Sequence, residues 1–461
     1  MGRRSPLIVC LTLLIVVIVL AAVVRPGGEN ALPTVASKAF VLLSPATKSP
    51  TMMPTSMPTT LAPVAYPLPR VTITIRDVCS LEASSLQPSQ KRGTAASGEL
   101  VKRDIFNLAQ DCLKNSPWVP SKPMPVLCDR DFSPAIDLQQ HFEEILNATT
   151  MWRDLPPIKY AEYEGPWLED YWISEFCCNK SVQEDFGGLV PLFIRWSGTN
   201  GHHAKEGAER IASLLRDDVI YVTYSQPSGG MFFKAAEKLL SPKQVWNVLV
   251  FSGAGFGHIP VPLLIRELPM EPPLIIDQRR FLFGFVGGMH PWSGARRVMK
   301  DVIKRTSQRL NYPGMSGDSP QWKSIMNQTM FSIAPRGYGR TSFRLFEIIQ
   351  MGRGLPVYLW DDEPWIPYEN TEADVRNFGY SMHVNDFEQF IVNMTTSLAI
   401  DPAAHIEFYA RQEKMRKLRE DYFTYQGVLR QIRYFFSGDS RGRLKCARHP
   451  LRASVFGLWP P

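Results

Sequence analysis

The sequence predicts an α/β protein with two domains, each built on a parallel sheet. Short apolar runs alternate with stretches of helical periodicity, which is the pattern expected for strands whose two faces are both covered by helices. This alternation occurs twice, on either side of a proline-rich connection at residues 259–273. Prolines disfavour both helices and central strands, so we place the hinge between the domains in this connection.

The first segment, residues 1–24, predicts a cytosolic tail followed by a transmembrane signal-anchor. Its apolar run at 7–24 carries no charge and is just long enough to cross a bilayer as a helix. A cleaved signal peptide is the alternative, because small residues near the end of the run permit cleavage. Under either interpretation, the rest of the chain is expected in the secretory lumen.

Residues 25–70 are rich in proline, threonine and serine, and they offer too little apolar surface to fold. We interpret them as an extended, disordered stalk that holds a folded luminal region away from the membrane. The folded region is then expected as an N-terminal domain at 71–273 and a C-terminal domain at 274–461.

Cysteines and glycosylation sequons fit an oxidising luminal compartment. Apart from Cys10 in the apolar run, the cysteines are even in number, which predicts disulfides, while their spacing leaves every pairing open. These cysteines are Cys79, Cys112, Cys128, Cys177, Cys178 and Cys446. The asparagines of the Asn-x-Ser/Thr sequons are Asn147, Asn179, Asn327 and Asn393.

The composition is that of a globular protein, with 44% hydrophobic and 21% charged residues, and it excludes a disordered chain. The net charge of +7 favours anionic ligands. However, the basic residues form no stripe with interleaved aromatics, so we expect no nucleic-acid partner. No Cys-x-x-Cys motif or histidine pair has metal-ligand spacing, and we expect neither a bound metal nor a cofactor.

Apolar runs and helical periodicity place the elements along both domains. In the first domain, strands are expected at 191–196, 218–224 and 245–253, with a helix at about 203–216. In the second domain, strands are expected at 281–288, 330–334 and 355–360, with helices at 295–310 and 343–351. A long amphipathic stretch from about 407 to 436 predicts one closing helix.

The segment from Phe331 to Gln350 contains the densest set of candidate binding residues. A strand is expected to end at Ala334, a glycine-containing loop follows, and Ser342 or Thr341 can cap the next helix. Ligands of parallel α/β sheets bind beyond the carboxyl ends of the strands, and the free N–H groups at a helix start attract phosphate. This segment therefore predicts a phosphate-binding loop.

The same loop supplies both backbone access and positive charge. Gly337 and Gly339 permit a close approach of the backbone to a ligand. Three arginines are expected around the helix start, and their guanidinium groups suit the geometry of phosphate. They are Arg336, Arg340 and Arg344. The glycine spacing matches neither the P-loop nor the dinucleotide fingerprint.

Arg344 and Glu347 lie three residues apart, and therefore on one face of the predicted helix. We expect Arg344 to hold a diphosphate and Glu347 to accept hydrogen bonds from a ribose diol. The alternative is an ion pair on the surface of an ordinary capped helix, which is worth only a few tenths of a kcal/mol.

The segment APRGYGRTSFRLFEIIQMG at 334–352, with LPVYLWDD and PY following up to residue 368, closely resembles the signature of the exostosin family of glycosyltransferases. Upstream, RRFLFGFVGG at 279–288 resembles the family's Arg-x-x-Leu-x-Phe-x-Gly element. The resemblance covers about 277–385. NVLVFSGAGFGHIPVPLL at 247–264 is a looser match to the strand that closes the family's first domain.

The resemblance implies a GT-B fold, in which two Rossmann-like domains face a cleft, with the acceptor on 71–273 and the nucleotide sugar on 274–461. It implies an inverting, metal-independent hexosyl- or pentosyltransferase that uses a UDP-sugar and a glycan or glycoprotein acceptor. It places the enzyme in the Golgi membrane as a single-pass type II protein with a luminal catalytic region. The family forms complexes, so a homo- or hetero-oligomer with another transferase is consistent with it. A catalytically inactive subunit that stabilises an active transferase stays the alternative.

The resemblance also implies a set of nucleotide-sugar-binding residues by position. They comprise an upstream arginine, the glycine loop, the Ser-x-Arg-x-x-Glu triplet and an acidic turn: Arg280 (or its neighbour Arg279), Arg336, Gly337, Gly339, Arg340, Ser342, Arg344, Glu347, Asp361 and Asp362. The turn at 351–356 is one residue longer than usual, and Tyr368 stands where phenylalanine is usual. The donor-sugar pocket is therefore expected to differ from that of the family.

An inverting transfer needs a group that takes the proton of the acceptor hydroxyl. His258 follows a predicted strand of the first domain and is the first candidate, with His202 and His203 as alternatives. Two other functions stay open. The triplet at 129–131 has the Asp-x-Asp spacing of a metal-dependent GT-A transferase, and a lectin-like module would bind glycans without UDP.

Overall fold

A computed structural model of the chain describes residues 105–115, 118–119, 138–154, 167–177, 180–198, 204–228, 230, 246–289, 294–447 and 451–452. The predicted anchor at 1–24 and the predicted stalk at 25–70 lie outside these residues. The described residues all belong to one compact unit, Cys79–Pro461. Within them, no helix is both long enough and apolar enough to cross a membrane.

The strands of the two main sheets lie mostly in continuous apolar runs of the sequence, as expected for strands that are covered on both faces. In chain order the strands are β1 (Trp118–Val119), β2 (Val190–Leu192), β3 (Tyr221–Ser225), β4 (Val248–Ser252), β5 (Ile259–Pro260), β6 (Phe281–Val286), β7 (Gly314–Gly317), β8 (Thr329–Pro335), β9 (Leu355–Trp360), β10 (Tyr380–His383) and β11 (Leu451–Arg452). Every residue of β3, β4 and β8 is buried.

Several helices begin at a side chain that accepts a hydrogen bond from the first turn, as capping residues do. In chain order the helices are α1 (Ile105–Asn115), α2 (Leu138–Ala148), α3 (Thr150–Arg153), α4 (Leu168–Phe176), α5 (Val182–Phe186), α6 (Ala204–Leu214), α7 (Gly294–Leu310), α8 (Trp322–Asn327), α9 (Phe343–Met351), α10 (Phe387–Ile400), α11 (Pro402–Tyr422) and α12 (Tyr425–Ser437).

The strands form two main parallel sheets and one short parallel pair. The strand order is β2-β3-β4-β5 in the first sheet and β10-β9-β8-β6-β7 in the second, and every neighbouring pair is parallel. The short pair joins β1 to β11. These sheets confirm the predicted α/β class with parallel strands.

The first sheet is shorter than its apolar runs predict. Only the start of the run at 191–196 belongs to β2, because the chain then turns into a 3-10 helix at Trp196–Gly198. There the Trp196 indole donates a hydrogen bond to the Thr223 hydroxyl at 2.9 Å. In the second sheet, β7 was not predicted, since its sequence GMSG contains two glycines and no apolar run.

Two hydrophobic clusters cover the second sheet. One surrounds Phe283 and Phe331 and includes the buried faces of α7 and α10. The other contains Phe346 of α9 and continues without interruption to Phe251 of the first sheet. Helix α9 therefore lies in a core that both sheets share, and its amino end is held against elements of the first sheet.

The closing segment is broken into two helices where a single one was predicted. Helix α11 ends at Tyr422, and Thr424 caps α12 by accepting a hydrogen bond from the Gly427 N–H at 3.0 Å. Beyond the break, Phe436 packs against Trp172 and Phe251, with ring centroids 6.1 and 5.8 Å away. The chain thus returns to the first sheet after completing the second.

A disulfide between Cys112 of α1 and Cys446 fixes this return. It confirms the prediction of disulfides and supplies a pairing that the spacing had left open. Cys177 is buried after α4, while Cys79, Cys128 and Cys178 lie outside the described residues.

Candidate functional site

The loop between β8 and α9 is built largely as the sequence predicts. Ser342 caps α9, because its hydroxyl accepts a hydrogen bond from the Arg344 N–H at 3.3 Å. Inside the loop, the Gly337 N–H donates to the Thr341 carbonyl at 3.0 Å, and the Arg336 N–H donates to the Leu359 carbonyl of β9 at 2.8 Å. The loop is therefore a fixed turn at the carboxyl edge of the second sheet.

Gly339 brings this loop against the chain that follows β4 of the first sheet. A Cβ atom at Gly339 would lie 2.2 Å from the Ala254 carbonyl oxygen, and one at Gly255 would lie 2.4 Å from Arg340 Cβ. The Arg340 N–H also donates to the Ala254 carbonyl at 2.8 Å. The close approach that we predicted for a ligand is therefore made at Gly339 by the protein's own backbone.

Arg340 is fully enclosed by this contact between the loops. Its side chain is 2% exposed, its guanidinium carbon lies 5.4 Å from the Phe256 ring centroid, and its Nε lies 3.3 Å from Asp362 Oδ2. The Arg340 guanidinium is therefore directed toward Asp362 and Phe256 inside the protein in this conformation. The prediction that Arg340 binds the nucleotide sugar therefore gains no support from its position.

Arg336 lies at the open side of the loop and pairs with the acidic turn after β9. Its Nη1 lies 3.0 Å from Asp361 Oδ1 and 2.8 Å from Asp362 Oδ1. Asp361 also accepts a hydrogen bond from the Ala295 N–H at 3.0 Å, at the start of α7. The structure brings Arg336, Asp361 and Asp362 together. Because Arg336 is paired with both carboxylates, the loop does not present it as an uncompensated positive charge.

Arg344 and Glu347 form the predicted pair on one face of α9, with Arg344 Nη1 2.8 Å from Glu347 Oε2. The side chains are only 12% and 6% exposed. The alternative of an ion pair on an exposed helix surface is therefore wrong for this geometry. Such a buried carboxylate needs compensating charge, because its desolvation is costly.

Two residues that sequence reasoning missed complete the surroundings of Glu347. Arg266, from the connection between the sheets, places Nε 3.4 Å from Glu347 Oε1. Trp322 of α8 lies beneath Arg344, whose guanidinium carbon is 3.9 Å from the indole ring centroid. No spacing rule links these residues to α9, since they come from other elements of the fold.

Arg280 does not reach this site. It is exposed and precedes β6, so it lies at the amino end of that strand, about 20 Å along the strand from the carboxyl edge where the loop lies. Its neighbour Arg279 is a structural residue, since it donates hydrogen bonds to the carbonyls of Thr329, Leu274 and Arg353. Burial lowers the pKa of Arg279 to about 10.

His258 lies inside the first sheet and not at its carboxyl edge. The chain turns back after β4, so His258 runs alongside that strand and its Nδ1 accepts a hydrogen bond from the Val250 N–H at 3.0 Å. The ring is fully buried, and burial lowers the pKa of His258 to about 3. These facts argue against His258 as the general base. His202 and His203 lie outside the described residues.

Glu169 is a second buried titratable group of the first sheet. Its carboxyl oxygens accept hydrogen bonds from the Ser197 hydroxyl at 2.6 Å, the Ser197 N–H at 3.0 Å and the Gln226 N–H at 2.7 Å. Burial nevertheless raises the pKa of Glu169 to about 7. The side chain joins α4 to the segments after β2 and β3, which is a structural role.

The described residues hold no group of three or more His, Cys, Asp or Glu side chains that could bind a metal ion. The Asp-x-Asp triplet at 129–131 lies outside them. Of the sequon asparagines, Asn147 and Asn393 are exposed, Asn327 is partly buried, and Asn179 is outside the described residues.

No protein-family profile matches this chain, and no curated protein matches it. Among solved structures, a TarM variant from S. aureus in complex with fondaparinux, alpha-GlcNAc-glycerol and UDP is 10% identical, with a TM-score of 0.32 over 58% of each chain. The pneumococcal O-GlcNAc transferase GtfA in complex with UDP and GlcNAc is 9% identical, with a TM-score of 0.27 over 50% of this chain and 46% of that one. An alpha-glucosyltransferase in complex with UDP is 12% identical, with a TM-score of 0.27 over 52% of this chain and 78% of that one.

Two further solved structures also match. The chain spans about half the length of each, 58% of TarM and 46% of a chain in the GtfA/B complex. At such low TM-scores and identities the likeness carries no weight for function.

Proposed function

We propose that this chain is a UDP-sugar-dependent glycosyltransferase of the GT-B type, with its donor site at the start of α9. The observation that carries the proposal is the largely buried Arg344–Glu347 pair, which is held between Arg266 and Trp322. Glu347 has acceptor capacity for the hydroxyl groups of a ribose beyond its two arginine contacts. Arg344, one turn closer to the loop, suits a diphosphate.

The chemistry proposed for this site is stabilisation of the leaving group. As the bond between sugar and phosphate breaks, UDP gains negative charge that must be stabilised in the transition state. Arg344 and the amino end of α9 supply positive charge that is already oriented before the reaction. We infer an inverting transfer, for which the proton of the acceptor hydroxyl passes to a group of the first-sheet region.

The expected setting follows from the sequence. We place the enzyme in the Golgi membrane as a single-pass type II protein, with a glycan or glycoprotein as acceptor, on the basis of the apolar run at 7–24 and the luminal sequons. Removal of N-glycans should increase its mobility in gels, and alkaline carbonate should leave it in the membrane. Secretion as a shortened soluble chain would contradict the anchor.

UDP binding tests the donor site directly. With the full-length chain purified in mild detergent, Glu347→Ala and Arg344→Ala should each weaken UDP binding by roughly 1.5–3 kcal/mol, the scale for a hydrogen bond to a charged group. Calorimetry measures the affinity, and circular dichroism checks the fold. Unchanged UDP affinity in both variants would show that the pair has only a structural role.

The second candidate is a catalytically inactive subunit of the same fold that stabilises an active transferase. The short contacts between the loops at Gly339 and Ala254 favour it, since they leave Arg340 buried. A screen of UDP-sugar hydrolysis separates the two functions. UDP binding without hydrolysis or transfer of any sugar would favour the inactive subunit.

A further inference from the structure

Arg266 is held in place by the connection between the two sheets. Its neighbours Leu264 and Leu268 are buried, and their carbonyls accept hydrogen bonds from Gln226 Nε2 at 2.9 Å and Arg419 Nη2 at 2.7 Å. The Leu268 N–H also donates to Gln350 Oε1 of α9 at 3.1 Å. The backbone on both sides of Arg266 is therefore anchored, and its side chain starts from a fixed point.

The side chain of Arg266 extends to the same carboxylate as Arg344. Each oxygen of Glu347 contacts one guanidinium group, Oε1 with Arg266 at 3.4 Å and Oε2 with Arg344 at 2.8 Å. Glu347 is 6% exposed, whereas Arg266 keeps 23% of its side chain exposed. The carboxylate thus orients both arginines from the protein side, and each arginine keeps an exposed part toward solvent.

Among the described residues, three cationic side chains lie around the indole ring of Trp322. Arg344 lies 3.9 Å, Lys323 5.6 Å and Arg266 5.8 Å from the indole ring centroid, while Glu347 is the carboxylate that contacts the two arginines. A concentration of positive charge in a partly desolvated place favours a multivalent anion. Two guanidinium groups oriented by one carboxylate match the several oxygens of a diphosphate.

We propose that Arg266 is a second diphosphate-binding residue of the donor site, contributed by the connection between the sheets. On nucleotide binding, the guanidinium groups of Arg266 and Arg344 contact the diphosphate from two sides, while Glu347 keeps both oriented and accepts from the ribose. This inference rests on the proposed function, since it presumes a nucleoside diphosphate at the start of α9. It makes the connection between the sheets part of the substrate site.

The test compares UDP with uridine as ligands of the full-length chain in mild detergent. Arg266→Met keeps the aliphatic stem beside Trp322 and removes the charge, and Arg266→Lys keeps the charge without the planar group. We expect Arg266→Met to weaken UDP binding roughly 10- to 100-fold and uridine binding less than about 3-fold, because only UDP offers the diphosphate. Arg266→Lys should fall between wild type and Arg266→Met.

Arg353→Ala is the matched control. Arg353 pairs with Glu271 of the same connection at 3.6 Å, and its side chain is 19% exposed, close to the value for Arg266. Arg353 precedes β9, at the amino end of that strand and away from the loop at the carboxyl edge of the sheet, so Arg353→Ala should leave UDP affinity unchanged.

Three outcomes decide the proposal. An equal loss of UDP and uridine affinity in Arg266→Met would show that Arg266 acts only through Glu347 and would overturn the inference. An unchanged UDP affinity would overturn it as well. A wild-type chain that binds neither UDP nor uridine would instead refute the proposed function itself. If Arg266→Met does not fold, Arg266→Lys decides by the same comparison of UDP with uridine.

Discussion

Beside the first sheet, Glu169 of α4 and Gln226, which follows β3, are buried, and the Gln226 N–H donates a hydrogen bond to the Glu169 carboxyl group while its Nε2 donates to the Leu264 carbonyl. Beyond the strands of the second sheet, Arg336, Asp361 and Arg344 are charged and keep part of their surface exposed. Groups that find all their partners inside the protein stabilise the fold, whereas partly exposed ion pairs can exchange a partner for a ligand. This difference agrees with the proposed donor site beside the second sheet, where the Arg344–Glu347 pair lies.

We expect the largest effect on stability when the contact between the loop at Gly339 and the chain at Ala254 is broken. Gly339→Ala would place a Cβ atom 2.2 Å from the Ala254 carbonyl oxygen, so the backbone must shift, and we expect the free energy of unfolding to fall by roughly 3 kcal/mol. Gly337→Ala is the matched control. Its Cβ atom would meet nothing closer than Arg296 Nη2 at 3.4 Å, and we expect a loss below about 1 kcal/mol.

Denaturant unfolding measures both glycine variants. Equal stability of the two variants would mean that the contact between the loops does not contribute to the stability of the protein. A stable Gly339→Ala variant with stronger UDP binding would show that the contact closes the site.

Arg279 and Arg280 test the comparison within one short segment. Arg279→Ala removes hydrogen bonds to three carbonyls, so we expect a destabilisation of about 2–3 kcal/mol, measured by denaturant unfolding. Arg280→Ala, at an exposed position, should change stability by less than about 0.5 kcal/mol and leave UDP affinity unchanged. A loss of UDP affinity without a loss of stability in Arg280→Ala would show that Arg280 does contribute to the donor site.

The pH dependence of stability tests whether Glu169 is buried beside the first sheet. Burial raises the pKa of Glu169 to about 7 from 4.5, so the folded state retains a proton that the unfolded state releases. Stability from this group is complete below pH 4.5 and is lost as the pH rises to about 7. The expected slope is up to about 1.4 kcal/mol per pH unit within this window.

Unfolding measured from pH 4.5 to pH 7 checks this slope. Glu169→Gln should flatten it, while Glu143→Gln, which removes a carboxylate at an exposed position, should retain it. The same slope in wild type and Glu169→Gln would refute a protonated Glu169 in the folded state.

Metal dependence gives the smallest expected effect. If arginines and the start of α9 stabilise the departing UDP, transfer should persist in EDTA, and added manganese should stimulate it less than about tenfold, or 1.4 kcal/mol. Asp129→Asn combined with Asp131→Asn should leave the rate nearly unchanged, whereas Arg344→Ala should abolish most activity. If activity were lost completely in EDTA and restored by manganese, and if the double variant were inactive, the donor site would not lie beside the second sheet.

Much of the second sheet and its helices was predictable from the sequence, and less of the first sheet. Helix α9 and strand β9 have the bounds that the sequence indicates, because apolar periodicity and the capping Ser342 mark them locally. Strand β7 and the break at Phe423 were missed, since glycines and a single capping threonine give weak local signals. Helices α1 to α5 lie in a region whose pattern suggested no specific element.

The sequence by itself determined the α/β class, the loop between β8 and α9, and the placement of Arg344 and Glu347 on one helix face. Each of these depends on residues that are neighbours along the chain, where periodicity and capping chemistry act directly. Only the tertiary structure decided which groups join them. Arg266 and Trp322 reach Glu347 and Arg344 because separate elements pack together, whereas Arg340 is turned inward by the backbone contact at Gly339. Contacts of this kind arise from the shared core of the two sheets, and no local pattern encodes them.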